Sequence, residues 1–426
     1  MATSGASQHD KLTARVHRNA RIGDSASRGR WAEATLGLCA VVLPSLLALA
    51  PRGAAPLAAV AGLSALGLIA TARPPRFGSL GPPVVVLATL LLWGIASATW
   101  SIIPARSPVL AARLAGLFAA ALALAAAAPR IAAPWRWSLL LLLGTAIGIA
   151  VALVDLASAG GLSRFVTIRP FAGPRLNQVA AWVAIMTLPV TALLGRRGGW
   201  RPAVAAGTAM AGAVYLLDDT TAKLALLASL PAAALLYLRR RLVMRLAAAF
   251  ASLAILAAPI TLPRLAQFPA IFARADAFKS SAGHRLLIWS FVGDRIADKP
   301  LAGWGLDAAR AIPGGKDDFR PGQEHLPLHP HNAALQVWLE LGAPGAVLFA
   351  LLAGWLWLRL GAAAWPRLYA AAAGGAYTAA LVVAFSGWGI WEEWWLATLS
   401  LAAFAILVMA RAIPPPRPPG SPAGDR

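Results

Sequence analysis

The amino-acid sequence predicts an all-α, polytopic membrane protein with about 12 transmembrane helices. Two features of the composition support this prediction: 59% of the 426 residues are hydrophobic, and only 13% are charged. The mean hydropathy of +0.66 agrees with both. Since a soluble domain carries about twice that charged fraction, the composition excludes a water-soluble globule, a disordered chain and a disulfide-stapled scaffold.

The spans follow from the lengths of the apolar stretches. A helix needs about 20 apolar residues to cross roughly 30 Å of hydrocarbon, and twelve stretches of that order lie between polar or Pro- and Gly-rich breaks. Nine of them fall within residues 31–262 and three within residues 333–411. The predicted spans are 33–50, 54–72, 82–100, 108–128, 137–157, 178–195, 202–217, 221–238, 242–262, 333–358, 368–387 and 393–411.

The basic residues predict the orientation of the chain. The net charge is +21, and the Lys and Arg residues form short clusters between apolar stretches. That arrangement is typical of a membrane protein and not of a nucleic-acid-binding protein, so membrane lipids are the expected electrostatic partner. Of the 38 basic residues, 22 fall in segments on the same side as the N-terminus. The positive-inside rule then predicts that both termini face the cytoplasm.

Two tails and one long loop lie outside the spans. Residues 1–30, which are rich in Arg, and residues 412–426, which are rich in Pro, are predicted to be disordered cytoplasmic tails. Residues 263–332 separate the ninth and tenth spans on the outer side and hold four of the six histidines. Loops of this length are uncommon and usually functional, so this one is predicted to be a periplasmic catalytic loop.

A histidine pair closes the loop, in the segment His329-Pro330-His331-Asn332. Pro330 favours an extended backbone at His329, which places residues two apart on the same side. A neutral imidazole is suited to act as a general base near pH 7; a histidine that only packs the end of the loop is the alternative. We predict that His331 is the base, because it directly precedes the tenth span, and that His329 has freer access to water.

A zinc site is a further alternative for this segment. Its ligands would be Glu324, His325, His329 and His331. No established ligand spacing supports such a site, and the prolines in the segment prevent the first two histidines from sharing a helical face. We therefore expect no metal and no cofactor, although the pair Asp218-Asp219 leaves a metal-dependent variant open.

Three cations are predicted to share the outer face with the histidines. Arg285 lies four residues before Trp289, so one helix face would carry a guanidinium beside an interfacial aromatic ring. Lys223 falls in the first turn of the eighth span, where its charge opposes the helix dipole unless an anion binds nearby. Arg175 lies at the start of the sixth span. Together they could neutralise a diphosphate; pairing of Lys223 with a preceding aspartate, or of Arg285 with lipid headgroups, is the alternative.

The start of the tenth span resembles the His-Asn and Glu-x-Gly signature of the O-antigen ligase and polymerase superfamily. The matching residues are His331, Asn332, Gln336, Glu340, Gly342 and Gly345. Arg285 with Trp289, followed by the turn at residues 300–305, resembles the loop motifs of that family. The similarity covers roughly residues 175–345 in motif and the whole chain in architecture.

The resemblance implies a glycosyltransferase of the bacterial inner membrane that takes a glycan from an undecaprenyl diphosphate carrier on the periplasmic side. The acceptor would be a sugar hydroxyl of lipid A core in a ligase, or another carrier-linked glycan in a polymerase. His331 would activate the acceptor hydroxyl, while Arg285 and Lys223 would hold the diphosphate. The expected supporting residues are His329, Asn332 and Glu340.

One residue departs from the family pattern, because Ala222-Lys223 stands where the family usually has Ser-Arg. Lys provides a point charge and not a bidentate fork, so it would orient the diphosphate more loosely.

A secondary transporter and a membrane scaffold are the competing classes of protein. A transporter usually has ionisable residues at mid-bilayer and internal repeats, whereas the main charges within these spans are Asp155 and Arg113 and no repeat occurs. The sequence therefore favours the transferase.

Overall fold

A computed structural model of the protein describes residues 7–71, 81–166 and 176–414. Within these ranges the chain forms fourteen α-helices, several short 3-10 turns and one two-stranded antiparallel hairpin. The helices are α1 (Ser7–Leu49), α2 (Ala54–Ala70), α3 (Gly81–Ala96), α4 (Arg106–Ala127), α5 (Pro134–Ala157), α6 (Gly161–Val166), α7 (Asn177–Gly198), α8 (Trp200–Leu216), α9 (Thr220–Leu265), α10 (Pro269–Phe278), α11 (Ser280–Asp298), α12 (Ala333–Ala362), α13 (Arg367–Ser386) and α14 (Glu393–Ala412). The hairpin strands are β1 (Asp318–Arg320) and β2 (Gln323–Glu324).

Ten helices within the described residues are long and apolar enough to cross a membrane. One of them, α9, has 46 residues and contains both the eighth and the ninth predicted spans. Its backbone leaves the helical conformation at Arg239, where φ is −138° and ψ is 53°. The seventh predicted span is α8, which has 17 residues and is not among these ten helices. All twelve predicted spans fall on helices, and the all-α, polytopic membrane fold is confirmed.

The amino-terminal tail differs from the prediction. The sequence predicts disorder over residues 1–30, whereas α1 is helical from Ser7 onwards. No proline interrupts residues 7–30, and the Ala, Arg and Lys residues there are good helix formers, so the helix of the first span extends into the polar segment. Residues 1–6 and 415–426, which include most of the Pro-rich tail, lie outside the described residues.

Small residues bring neighbouring helices close together. Helix α1 packs against α5, and a Cβ atom added at Gly144 would lie 2.5 Å from the Cα atom of Val41. A Cβ atom added at Gly62 of α2 would lie 2.6 Å from the Cβ atom of Ala120 in α4. In a membrane, close backbone approach increases the dispersion contacts that hold helices together. These glycines therefore help to fix the bundle that carries residues 263–332.

Arginine side chains close the end of the bundle opposite residues 263–332. Each of four arginines donates a hydrogen bond to a backbone carbonyl elsewhere in the chain. Three of these carbonyls lie at or near the end of a helix, and the fourth, that of Leu238, lies at the backbone break in α9. The pairs are Arg197 with Ala412 at 2.7 Å, Arg240 with Leu360 at 2.8 Å, Arg367 with Leu238 at 2.7 Å and Arg411 with Ile131 at 2.7 Å. The last carbonyls of a helix have no partner inside it, and a cation there also interacts favourably with the helix dipole.

The orientation of the bundle is a testable prediction. We expect residues 263–332 to face the periplasm and both termini to face the cytoplasm, because the basic residues concentrate at the opposite end. Gly314 lies in an exposed turn, so a phosphatase reporter can be inserted there. We expect the reporter to be active at Gly314 and inactive when fused after Arg426. Activity at the carboxyl-terminal fusion, or inactivity at Gly314, would show the reverse orientation.

Candidate active site

Residues 263–332 form a substructure made of α10, α11 and the β1–β2 hairpin. The hairpin is attached to the helices by an ion pair of 3.2 Å between Arg320 and Asp276. A hydrogen bond of 2.7 Å between His284 Nε2 and the Glu324 carbonyl lies on the same side. Since a carbonyl only accepts, His284 donates through Nε2. The hairpin therefore fixes the chain just before the segment that carries the other histidines.

Asn332 fixes the start of α12. Its Oδ1 atom accepts a hydrogen bond of 3.0 Å from the Leu335 backbone N–H, which makes it the N-cap of the helix. Its Nδ2 atom donates to the Phe385 carbonyl at 3.0 Å, at the end of α13. Both halves of this buried amide are used for structure. Asn332 therefore positions the neighbouring His331.

The side chain of His331 is held in one tautomer. Its Nδ1 atom lies 2.6 Å from the Gly387 carbonyl, in the turn between α13 and α14. Because a carbonyl only accepts, Nδ1 carries the proton and the lone pair of the neutral ring lies on Nε2. The backbone at His331 has φ of +55°, in the left-handed region that is uncommon for residues other than glycine. This turn aims the imidazole at the Gly387 carbonyl and leaves Nε2 to accept a proton.

His329 packs against His331, with ring centroids 4.4 Å apart. Its Nδ1 atom accepts a hydrogen bond of 3.2 Å from the His331 backbone N–H, so the proton of the neutral ring is on Nε2. The expectation that His329 has freer access to water is wrong, since the residue is only 7% exposed. The ring is covered by the α13–α14 turn, where a Cβ atom at Gly389 would lie 3.1 Å from it.

Both imidazoles are neutral near pH 7. Burial lowers the pKa of His331 to about 4; the hydrogen bond to Gly387 opposes this shift and the charge of Arg285 adds to it. Burial first, and then His331 and Arg310, lower the pKa of His329 to about 3. A histidine with a lowered pKa holds its lone pair at physiological pH, although it is a weaker base than one that titrates near pH 7.

Arg285 lies on α11, and its guanidinium makes no hydrogen bond or ion pair with any other described residue. Burial lowers its pKa and the carboxylate of Asp219 opposes that shift, but a guanidinium stays charged in proteins. The charge of Arg285 also acts on His329 and His331. An unpaired and partly buried cation beside two neutral imidazoles is suited to bind an anion.

Trp289 follows Arg285 by one helical turn and orders the histidine segment. The sequence predicts an interfacial anchor for this ring, but its Nε1 atom donates a hydrogen bond of 2.9 Å to the Pro330 carbonyl. An indole N–H in a partly buried position usually finds such a partner. The face of α11 that carries Arg285 is thereby fixed relative to His331.

Lys223 already has a partner in the structure. Its Nζ atom lies 2.5 Å from Asp218 Oδ1 and 4.9 Å from the centre of the Tyr215 ring. The neighbouring Asp219 caps α9 through hydrogen bonds to two backbone N–H groups, of 3.1 and 3.2 Å. The alternative in which Lys223 pairs with a preceding aspartate is therefore the arrangement observed. A diphosphate would have to replace an aspartate that is 85% exposed.

Lys279 is a cation of this region that the sequence analysis does not single out. It precedes α11, and its Nζ atom donates a hydrogen bond of 3.2 Å to Thr220 Oγ1 at the start of α9. Its charge acts on both Asp218 and Asp219. No motif in the sequence marks this lysine, because its proximity to α9 arises only when α11 folds back over the bundle.

Glu340 supports the site from inside the bundle. It is fully buried and its carboxylate accepts three hydrogen bonds, from groups on three different segments. The donors are Gln336 Nε2 at 3.0 Å, the Asp307 backbone N–H at 2.6 Å and Trp391 Nε1 at 2.8 Å. Glu340 therefore joins α12 to the loop and to the α13–α14 turn, whose Gly387 carbonyl orients His331. The supporting role of Glu340 at the site stays a prediction.

Two further elements of the predicted site are Arg175 and the zinc alternative. Arg175, a predicted ligand of the diphosphate, lies outside the described residues. The zinc alternative has no geometric support, since no three His, Cys, Asp or Glu side chains within the described ranges are grouped to hold a metal ion. His325, for example, packs on Phe319 with ring centroids 3.8 Å apart.

The sequence around these residues matches a known family. Residues 203–350 match the family model described as "O-Antigen ligase". This part of the chain is similar to the O-antigen ligase family. The match begins within α8 and ends within α12, so it includes Lys223, Arg285, His331 and Glu340. The predicted resemblance to the O-antigen ligase superfamily is confirmed, while the roles of the individual residues stay predictions.

Curated bacterial proteins named "Putative polysaccharide ligase" are similar to part of the chain. The Rickettsia conorii protein is 34% identical over 126 residues, which are 29% of this chain and 30% of that protein. The Rickettsia typhi protein is 34% identical and the Rickettsia prowazekii protein 33% identical, each over 144 residues, or 33% of this chain and 34% of each relative. The chain thus matches about a third of the length of these relatives.

Lys223, where the chain departs from the usual family residue, gives a testable prediction. We expect Lys223→Arg to retain activity, because arginine restores the usual family residue and keeps the positive charge. Lys223→Gln should lower activity, since the charge is lost. The measurement is the activity of the purified variants, with Lys299→Gln as a control lysine that packs on Trp304. Loss of activity in Lys223→Arg would show that the site requires an ammonium group.

Proposed function

We propose that this protein is a glycosyltransferase that moves a glycan from undecaprenyl diphosphate to a sugar hydroxyl of an acceptor, with O-antigen ligation to lipid A core as its reaction. The match of residues 203–350 to the O-antigen ligase family and the similarity to relatives named as polysaccharide ligases support this proposal. The observation that carries it is the state of His331, whose Nδ1 proton is held by the Gly387 carbonyl and whose Nε2 lone pair is free beside Arg285.

In the proposed reaction, His331 Nε2 accepts the proton of the acceptor hydroxyl as the oxygen attacks the anomeric carbon of the donor sugar. The bond between that carbon and the diphosphate oxygen breaks, and undecaprenyl diphosphate leaves with the bonding electrons. The diphosphate is an activated leaving group, so the donor itself supplies the free energy of transfer. A positioned general base contributes about 10²–10⁴ in rate.

The proposed ligands of the diphosphate are Arg285, Lys223 and Arg175. Cations aimed at a leaving group stabilise the negative charge that develops on it in the transition state. Arg285 is ready to do so, because no other described residue pairs with it. Lys223 has to exchange Asp218 for a phosphate oxygen. We place this chemistry at the periplasmic face of the bacterial inner membrane, where the outer ends of the spans meet residues 263–332.

A reconstituted reaction tests the proposal. The purified protein, in lipid nanodiscs, is given an undecaprenyl-diphosphate-linked oligosaccharide and lipid A core, and the products are identified by mass. Transfer to the core with release of undecaprenyl diphosphate is the expected result. Elongation of the carrier-linked glycan with the core unchanged would identify a polymerase instead. Consumption of neither substrate, with solute flux across proteoliposomes, would assign the protein to the transporters.

A further inference from the structure

A second pair of cations lies near the histidines and is arranged around one carboxylate. Arg106 Nε donates a hydrogen bond of 2.7 Å to Asp307 Oδ2, and Arg310 Nε donates one of 3.0 Å to Asp307 Oδ1. Each carboxylate oxygen thus holds one guanidinium. Arg106 and Arg310 are named here the Asp307 arginine pair, since their positions relative to each other are set by that residue.

The turn that carries Asp307 is rigidly placed. Asp307 is 8% exposed and has φ of +66°, a conformation that persists in a non-glycine residue only when its surroundings impose it. Its backbone N–H donates to Glu340 at 2.6 Å. The preceding residue, Leu306, holds the turn in place through its backbone. Its N–H donates to Ser97 Oγ, just after α3, at 2.9 Å, and its carbonyl accepts from Ser107 Oγ of α4 at 2.8 Å. The Asp307 arginine pair is therefore preorganised.

The terminal nitrogens of the Asp307 arginine pair are available to a ligand. The side chain of Arg106 is 55% exposed, and neither of its Nη atoms makes a hydrogen bond to a described residue. The side chain of Arg310 is 36% exposed, and its Nη2 atom lies 3.5 Å from Glu392 Oε1. Charge-assisted hydrogen bonds are about 2.7–2.9 Å long, so a phosphate or carboxylate oxygen can approach Arg310 more closely than Glu392 does.

Arg310, one member of the Asp307 arginine pair, lies near His329. Burial, and among the nearby charges those of Arg310 and Arg285, lower the pKa of His329 to about 3. Glu392, which faces Arg310, follows Gly389 by three residues, and Gly389 covers the His329 ring. The histidines thus have two groups of cations as neighbours, one that contains Arg285 and one that contains Arg310. A transferase has two substrates, and the first group is already assigned to the donor diphosphate.

We propose that the Asp307 arginine pair binds a phosphate or carboxylate group of the acceptor saccharide and so brings the acceptor hydroxyl to the histidines. This inference rests on the proposed transferase function. A guanidinium offers parallel N–H donors that match the oxygens of phosphate and carboxylate, and two guanidiniums fixed by one carboxylate can bind such a group together. The acceptor is therefore an anionic saccharide.

The test uses a matched pair of acceptors: a phosphorylated glycolipid and the same glycolipid after phosphatase treatment. Both are assayed with saturating donor in nanodiscs of zwitterionic phosphatidylcholine. We expect Arg106→Gln and Arg310→Gln each to lower kcat/KM for the phosphorylated acceptor roughly tenfold to hundredfold. The phosphatase-treated acceptor and the donor KM should be unaffected. Glu392→Gln is expected to have the opposite effect and to raise kcat/KM for the phosphorylated acceptor.

Arg113→Gln is the matched control. Arg113 lies two turns after Arg106 on α4, its side chain is 62% exposed and it pairs with Glu393 at 3.0 Å. We expect this variant to behave as the wild type with both acceptors. Equal losses on both acceptors in Arg106→Gln and Arg310→Gln would overturn the inference and leave these residues a structural role.

Three further outcomes are decisive. If the losses appeared only in nanodiscs that contain phosphatidylglycerol, the ligand would be a lipid headgroup and not the acceptor. If the wild-type protein transferred glycan equally well to both acceptors, the inference would fail while the proposed function stood. Transfer to neither acceptor would contradict the proposed function, and this inference with it.

Discussion

Replacing His331 with alanine is expected to lower turnover about 10²–10⁴-fold, the contribution of a positioned general base. The Nε2 lone pair that would accept the acceptor proton is lost, whereas the cations proposed to hold the diphosphate are unchanged. Binding of the carrier-linked donor should therefore persist. The measurement is kcat for glycan transfer by the purified variant, together with donor affinity determined separately.

His329→Ala is the comparison variant for His331→Ala. Since His329 Nδ1 accepts the backbone N–H of His331, its loss should loosen the turn without removing the base, and turnover should fall less. A greater loss in His329→Ala than in His331→Ala would reverse the assignment. Chelators are expected to leave the wild type active; inhibition by a chelator and rescue by zinc would assign the histidines to a metal.

The pH dependence gives a further readout for the same variant. The pKa of His331 in the free protein is lowered to about 4, so the lone pair is present at every pH well above that value. In the wild type, kcat/KM should decrease as the pH falls through about 4, because protonation of His331 removes the base. The His331→Ala variant should lack this acidic limb. An unchanged limb in the variant would assign the titration to another group.

Arg285→Ala is expected to lower turnover about 10²–10³-fold, which is typical for removal of one group that stabilises developing negative charge. The fold should be retained, because the guanidinium makes no hydrogen bond or ion pair with another described residue. Arg295→Ala is the matched control: Arg295 lies on the same helix but pairs with Asp298 at 3.0 Å. Full activity of Arg285→Ala in detergent, at unchanged thermal stability, would contradict the role in diphosphate binding.

The spans could be predicted because their length is set by the bilayer and not by tertiary contacts. The polar composition of residues 7–30 predicts disorder, but the helix propensity of their Ala, Arg and Lys residues carries α1 through that segment. The sequence separates the two spans around Arg239, whereas in the structure they form a single long helix with a break in its backbone.

The residues of the candidate site could be identified from the sequence, but their states could not. The tautomer of His331 depends on the Gly387 carbonyl, which lies 56 residues further along the chain. The burial of His329 and the partner of Trp289 likewise arise from segments that meet only in the folded bundle. The pairing of Lys223 with Asp218 was one of two open alternatives, since five residues of separation permit it but do not require it.

The four arginines that bind backbone carbonyls differ from lysine in geometry, although both residues carry the same charge. The direction of insertion depends on positive charge, for which lysine serves as well as arginine. The folded bundle depends on the planar fork of donors: Arg240 contacts the carbonyls of both Leu360 and Trp365, which an ammonium group on a flexible stem matches poorly. Substitution of Arg240 with lysine therefore separates the two properties, since the direction of insertion is kept while the packing of α9 against α12 is weakened.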